Sequence, residues 1–528
     1  MEQIIDFIIR RISPERQRES HPSDSAYITR AQREYHPSDS EDITRLAERW
    51  GEADGEGGIK CFTLQESNSI IVAMKNGVLK IDKKPIVMRF LNQTRIIVLS
   101  FLIVILVGSG LLMLPCSHTE SITYLDALFT ATSATCVTGL TTIELSAALT
   151  PFGQVVVLLL VQIGGMGFMT LASATFVLIG HRFTLRERLN MREYLSGTDM
   201  SGLRSLAVSV VKMTAIIEGA GVILLTAAFA FEYSFGTALW YGIFHSVSAF
   251  CNAGLDIISG GDSVSLFSGN AFVLVVLALL IVAGGLGFIV IGDVVKTHKW
   301  KKLRIDSKIV LSVSGVLLLV GTLVYMIFEY NNPMTLGNMS FGNKLANAFF
   351  FSASTRTAGF ASFGVGELSP VSRTVTIALM FIGASPASTG GGIKTTTLFV
   401  LIVWISAVVR QKKLTVIGMK KVGGEVRSRA ATVLVLAITS LLVAQILLMG
   451  FDGARCSYEQ LLFEAVSAYA TVGLSLGITA ALSVGGKLTL VMLMFMGRVG
   501  AYTLFASTTR KNDDADAGIK YQEFNVMM

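Results

Sequence analysis

One short stretch recurs four times along the chain, and no other feature restricts the fold as much. It reads DALFTATSATCVTGLTT from Asp126 to Thr142. Variants follow as HSVSAFCNAGLDI around Gly254, FSASTRTAGFASF around Gly359 and EAVSAYATVGLSLG around Gly473. In each, an apolar run that suits a short helix enters a glycine. Gly139, Gly254, Gly359 and Gly473 lie about 105 to 115 residues apart by subtraction. Self-similarity at such a period reports an architecture, which has to be settled before single residues are interpreted.

The segments between these stretches set the fold class. Outer spans at 96–114, 206–231, 308–328 and 431–450 approach or exceed the roughly 20 apolar residues that cross a bilayer. Shorter apolar segments at 122–134, 238–250, 343–355 and 458–470 lead into the glycines and are too short to cross. Second full spans follow at 153–180, 271–295, 374–409 and 486–507. The expected fold is an all-α polytopic membrane protein. It has four pseudo-repeats of outer span, pore half-helix, filter loop and inner span around one central pore. The expected domains are an N-terminal cytosolic extension (1–83), pore repeats at 84–195, 196–300 and 301–425, and a fourth repeat with the C-terminal tail at 426–528. A composition of 52% hydrophobic and 15% charged residues, with mean hydropathy +0.61, agrees with a helical membrane protein.

The net charge of +7 does not point to nucleic acid, because the basic residues cluster between the hydrophobic spans. They run from Arg182 to Arg192, Lys296 to Lys308 and Arg410 to Arg429, and the opposite connections are poor in Lys and Arg. The positive-inside rule therefore predicts a multi-pass plasma-membrane protein with both termini cytoplasmic. Five cysteines without paired spacing indicate neither a disulfide framework nor a metal cluster, and no covalent cofactor is expected. Before the first span, Ile4, Ile5, Ile8 and Ile12 share a helix face, HPSDSAYITR (21–30) recurs as HPSDSEDITR (36–45), and SIIVAMKNGVLKI (69–81) carries a hairpin signal.

A bare K⁺ ion needs oxygens in place of its hydration shell, and backbone carbonyls from four loops supply them. Glycine permits the extended backbone and close approach this needs. The expected filter residues are Thr135, Cys136, Val137, Thr138 and Gly139; Cys251, Asn252, Ala253 and Gly254; Arg356, Thr357, Ala358 and Gly359; and Ala470, Thr471, Val472 and Gly473. K⁺ is expected at them. The third inner span, ALMFIGASPASTGGGIKTTTLF (378–399), carries Pro386 and three consecutive glycines and does not suit an unbroken helix. It is read as a flexible gate beneath the filter, at Ser388, Thr389, Gly390, Gly391 and Gly392, held by Lys394 on an acid or a carbonyl. Arg498 is a charge within the last span, where it is costly and normally faces the interior or water. Glu218 is expected to make an interhelical hydrogen bond and His245 to be structural. Asp126 and Glu464 are read as acids at or beside half-helix starts that suit the dipole or gather cations at the mouth.

TATSATCVTGL, the VQIGGMGFM run at 161–169, the STGGGIKTT run at 388–396 and Gly497-Arg498 occur together and in order. Residues 90 to 510 thereby resemble the membrane subunit of bacterial Ktr potassium uptake systems, in the Ktr/Trk/HKT superfamily. The resemblance implies potassium-selective uptake through a pore formed within one chain. It implies a gating loop at the broken span and Arg498 below the filter as an electrostatic barrier. A glycine in all four loops goes with K⁺ selectivity in that family. The implied partners are a second copy in a homodimer and a cytosolic KtrA-like octameric ring. ATP and ADP would bind that ring and not this chain. The first 83 residues have no counterpart in the usual subunit, and Met88 is a candidate alternative start. Two rival readings remain. A Na⁺-coupled or Na⁺-permeable secondary cation transporter would require inverted repeats. An intramembrane enzyme would require a catalytic cluster, which the six scattered histidines do not supply.

Overall fold

The computed structural model describes residues 60–64, 70–75, 78–83, 93–166, 202–258, 263–412, 414–417 and 420–508. The chain divides into two compact units, Met1–Asn92 and Gln93–Met528. The expected helix at Ile4–Ile12, the ten-residue repeat, the basic run Arg182–Arg192 and the C-terminal tail lie outside the described residues. In the first unit, β1 (Lys60–Leu64), β2 (Ile70–Lys75) and β3 (Val78–Lys83) form an antiparallel sheet in sequence order. The hairpin expected over 69–81 is its β2–β3 pair, with Lys75 opposite Val78.

The second unit is helical and repeats one pattern four times. The outer helices are α1 (Gln93–Leu112), α4 (Gly202–Phe229), α8 (Ile305–Phe328) and α12 (Gly424–Asp452). The pore helices are α2 (Tyr124–Cys136), α5 (Phe235–Cys251), α9 (Phe341–Ser354) and α13 (Tyr458–Ala470). The inner segments are α3 (Pro151–Gly165); α6 (Ala271–Leu286) with α7 (Phe288–Thr297); α10 (Pro370–Phe381) with α11 (Thr395–Val409); and α14 (Val484–Val499) with α15 (Ala501–Thr508). A two-residue ladder, β4 (Val416–Ile417) with β5 (Lys420–Lys421), sits between the third and fourth units.

Local chemistry sets where these helices begin. Thr123, Ser340 and Ser457 each accept a backbone N–H from the first turn of a pore helix, and Ser457 with Gln460 forms a full capping box. Thr150-Pro151 and Ser369-Pro370 start inner helices with a capping hydroxyl followed by proline at the first helical position.

The inner spans differ from the expected continuous helices. Only the third was expected to be broken. Instead α6 and α7 meet at 99° across Gly287, whose φ is +89°. Likewise α14 stops at Val499, before Gly500 at φ +89°, and α15 starts afresh. A left-handed residue cannot continue a right-handed helix, and glycine takes that conformation without a Cβ clash. Among the described residues, Val208–Phe229, Ile305–Phe328 and Gly424–Asp452 are each long and apolar enough to cross a membrane.

Two buried carboxylates tie outer helices to inner ones. Glu329, at the end of α8, accepts from the Ser369 amide at 3.0 Å and its hydroxyl at 2.7 Å, and from Asn332 and Thr335. Asp452, at the end of α12, accepts from the Ser483 amide at 2.9 Å and its hydroxyl at 2.8 Å. In the first of the four helical repeats backbone carbonyls take the place of the acid: Thr150 donates its amide to Ser117 and its hydroxyl to Cys116. Burial alone pushes the Glu329 carboxyl up, but the bonds from Ser372, Ser369 and Asn332 outweigh it and hold the group below its ordinary value. Glu329→Ala leaves these donors without an acceptor and should cost about 1–3 kcal/mol. Because the folded value is the lower one, the difference from the native chain should be complete above the unfolded value. It should shrink as pH falls through the folded value. Thermal unfolding in detergent across that range checks this, and a difference that grows on acidification contradicts it.

Candidate functional site

Each pore helix ends at a tight reversal, and the four reversals meet. Val137, Asn252 and Thr471, two residues before their glycines, take left-handed φ values of +58°, +61° and +52° and close the helices α2, α5 and α13. Gly139, Gly254, Gly359 and Gly473 follow at φ +99°, +63°, +77° and +97°. A Cβ on Gly139 would lie 2.5 Å from the Ala253 carbonyl oxygen, and one on Gly254 2.0 Å from that of Ala358. One on Gly359 would lie 2.2 Å from Val472 O, and one on Gly473 2.1 Å from Thr138 O. Every glycine therefore abuts the carbonyl preceding the next glycine, and the fourth returns to the first. The loops close into one ring in sequence order.

Serines in the pore helices pin this ring. Ser133 and Ser467 accept the amides of Gly139 and Gly473 at 3.0 and 3.1 Å. Ser248 and Ser354 donate to the carbonyls of Leu255 at 2.8 Å and Phe360 at 2.5 Å. These residues were not singled out from the sequence, although a serine five or six positions before each glycine was legible there.

The predicted filter residues do meet, in a more compact form than four extended strands. Thr135 and Cys136, Cys251, and Ala470 are the last helical residues of their pore helices. The third loop is wound differently. Arg356 and Thr357 lie in a hydrogen-bonded turn in which Thr357, Ala358 and Gly359 all donate to Ser354 O. The buried Arg356 side chain reaches outward to Ser314 of α8, at 3.1 Å.

The inner segments press glycines against the pore-helix ends. A Cβ on Gly164, Gly284 or Gly497 would meet the carbonyl oxygen of Thr135, Phe250 or Tyr469 at 2.0, 1.9 or 1.8 Å. The pattern is Gly164-Gly165, Gly284-Gly285, Gly383-Ala384 and Gly497-Arg498, so Arg498 occupies the place glycine holds in the first two units. In the third unit the segment 382–394 between α10 and α11 crosses beneath the ring. Ser385 and Thr389 donate their amides to Gly285 and Gly284, and the Thr389 hydroxyl donates to Phe250 O at 3.2 Å. Gly391 donates to the Thr471 hydroxyl at 3.0 Å. Lys394 donates to Gly390 O at 2.7 Å, which is the carbonyl alternative of its expected roles. Ser388 donates to Ser385 O at 2.6 Å. Arg498 donates to Thr389 O in this segment and to Gly164 O of α3. Its guanidinium therefore bridges the first, third and fourth units.

Glu218 of α4 accepts from Gln162 of α3 at 3.2 Å and from the Cys251 thiol at 3.7 Å, an interhelical bond behind the second loop. Asp126 lies at the start of α2, bonded to Thr123 and Thr142 and paired with Lys487 of the fourth unit at 3.4 Å. Glu464 differs from the expectation: it lies in mid-helix α13, fully buried, accepting from Ser475 and Thr479. Beside the ring is a cavity of about 200 Å³ lined by Gly139, Gly473, Ser475 and Thr479 among others.

The ring gives a ranked prediction. Glycine-to-serine changes should weaken cation discrimination at all four positions, with strain of about 1–2 kcal/mol from the left-handed backbone alone. Gly139→Ser should be the mildest, because its Cβ has the most room (2.5 Å against 2.0–2.2 Å). Relative uptake of K⁺ and Na⁺ by the four variants tests the order.

The family model TrkH, described as cation transport protein, matches residues 62–514. The chain is 37% identical over 442 residues to the potassium/sodium uptake protein NtpJ of Enterococcus hirae, covering 83% of this chain and 97% of that one. It is 38% identical over 440 residues to the Ktr system potassium uptake protein B of Vibrio alginolyticus, covering 83% and 95%. The corresponding Bacillus subtilis protein is 35% identical over 422 residues, covering 79% and 94%. The crystal structure of the potassium transporter TrkH from Vibrio parahaemolyticus superposes with a TM-score of 0.62 at 18% identity, covering 81% of this chain and 87% of that one.

Proposed function

The chain belongs to the TrkH family of cation transport proteins, and we propose that it is the potassium-selective, ion-translocating subunit of an uptake system in the plasma membrane. The observation that carries this reading is the closed ring in which each filter glycine abuts the carbonyl before the next. Backbone oxygens gathered on one axis replace the hydration shell of a cation without needing a side-chain charge. The curated relatives from Vibrio alginolyticus and Bacillus subtilis are named as potassium uptake proteins, in support of K⁺ as the cargo. The name of the Enterococcus relative adds sodium and favours a second reading, in which Na⁺ permeates or is coupled.

The segment 382–394 with Arg498 acts as the gate in this proposal. The segment occupies volume beneath the ring, and the arginine adds a positive charge where repulsion of a cation is stronger than in water. The chain works as a homodimer on a cytosolic nucleotide-binding ring, with both termini cytoplasmic. Support for the partner comes from the word "system" in the relatives' names and from the basic residues between Arg410 and Arg429.

Flux of K⁺ and Na⁺ through the purified chain in liposomes tests the cargo. K⁺ flux well above Na⁺ flux is expected, and equal rates would overturn potassium selectivity. Arg498→Ala, and separately deletion of 388–392, should raise K⁺ flux while preserving the K⁺-to-Na⁺ ratio. Variants that insert normally but conduct no faster would move the gate elsewhere.

A further inference from the structure

The four filter loops are not held from behind in the same way. Nine residues before the filter glycine and two after it, the second unit has His245 and Asp256, and the fourth has Glu464 and Ser475. Both pairs are in direct contact. His245 Nε2 lies 2.7 Å from Asp256 Oδ1. Glu464 accepts from Ser475 on one carboxylate oxygen and from Thr479, at 3.0 Å, on the other. His245 and Glu464 are fully buried. The equivalent pairs in the other units are Thr130 with Thr141, and Phe350 with Ala361. The Thr130 hydroxyl has no partner, and Phe350 and Ala361 offer no polar side chains, with Phe351 packed against Phe363 beside them. The first loop is tethered farther out, by Thr142 on Asp126.

The ring runs through the units in order, so the second and fourth face each other across the pore. We propose that His245–Asp256 and Glu464–Ser475–Thr479 are two opposed polar struts that position the second and fourth filter loops and thereby set ion selectivity. This rests on the reading of the chain as a potassium-selective transporter. The struts act through the loops: none of these residues belongs to the carbonyl ring. Each strut grips its loop two residues past the glycine, and Ser475 lines the cavity beside the ring.

The chemistry of the first strut is constrained further. His245 Nδ1 faces the Tyr241 carbonyl at 2.8 Å, an oxygen that only accepts, so this nitrogen carries a proton. Nε2 faces Asp256 Oδ1, which also accepts from the Ile258 amide at 2.8 Å. The bond between ring and carboxyl thus holds a second proton, carried by one partner or the other. An asparagine at 256 has a hydrogen to give only on its amide nitrogen. The atom that faces Nε2 is the same Oδ1 that accepts the Ile258 amide, so a nitrogen placed there keeps the bond to the imidazole and gives up the other. Asp256→Asn therefore keeps half of the strut, whereas Asp256→Ala removes it. Glu464→Gln likewise keeps one acceptor and gains a donor for the rotatable hydroxyls of Ser475 and Thr479, whereas Glu464→Ala keeps nothing.

The test is the K⁺-to-Na⁺ flux ratio of the full chain in liposomes. Asp256→Ala and Glu464→Ala should each lower the ratio by about tenfold, the effect of losing a buried hydrogen-bond partner, whereas Glu464→Gln should stay within about threefold of the parent and Asp256→Asn, with one of its two bonds left, should fall between. If the alanine variants do not insert, Ser475→Ala and Thr479→Val cut the fourth strut from the loop side and should lower the ratio together. An unchanged ratio in the strut-breaking variants that insert overturns the proposal. So does a Glu464→Gln that loses as much as Glu464→Ala, since the carboxylate would then act by charge and not by position. A parent chain with no preference for K⁺ would instead overturn the functional reading itself, and that result is separate from either of these.

Discussion

The rest of the architecture depends on the closeness of backbone to backbone at the ring. A carbonyl oxygen about 2 Å from where a Cβ would stand leaves room for a hydrogen only. That contact is made four times and closes on itself, so none of the four loops can be displaced alone. The pore helices are oriented to make it possible. Their last turns deliver a left-handed residue and then glycine, and their serines take up amides and carbonyls that would otherwise be unpaired in a place with little water.

A second set of glycine contacts couples the ring to the inner segments. Gly164, Gly284 and Gly497 let the inner segments rest directly on the carbonyls at the pore-helix ends. A helix seated so closely cannot also follow a straight path to the membrane surface. The bend at Gly287 and the break at Gly500 let the chain leave the axis after making that contact. The third unit uses an irregular segment in place of a bend. Its backbone groups find partners on neighbouring units, as non-helical chain at membrane depth requires.

Much of this was legible in the sequence because it is repetitive. The fourth pore helix falls at 458–470, the expected range, and the other three shift at their ends by up to three residues. All four ring glycines came from their shared context. The broken third inner span was visible because Pro386 and Gly390 to Gly392 each oppose helix. The breaks at Gly287 and Gly500 were missed because glycines in an apolar run are tolerated in membrane helices. Their left-handed φ values follow from what the helix has to clear, and that is a tertiary fact. The mid-helix place of Glu464 was missed for a related reason. Its partners Ser475 and Thr479 lie beyond the reversal, and only the folded loop brings them back.

The internal alignment also bears on the single arginine of the proposed gate. Gly165 has no room for a side chain, since a Cβ there would lie 2.4 Å from the Cys251 sulfur. The equivalent place in the third unit is Ala384, already inside the crossing segment. In the second unit a Cβ on Gly285 would meet only Asn252, at 3.4 Å, so space alone does not exclude a side chain there; the fourth unit is the one that carries a long side chain at this place. Four guanidinium groups there would repel one another as strongly as they repel a cation. A single one finds its acceptors on the chain: Gly164 O in the last turn of α3, and Thr389 O in the crossing segment. The second bond joins the charge to the segment. Moving Thr389 away releases the guanidinium, and moving the arginine removes a donor from the segment, so the two parts of the proposed gate are coupled through one hydrogen bond.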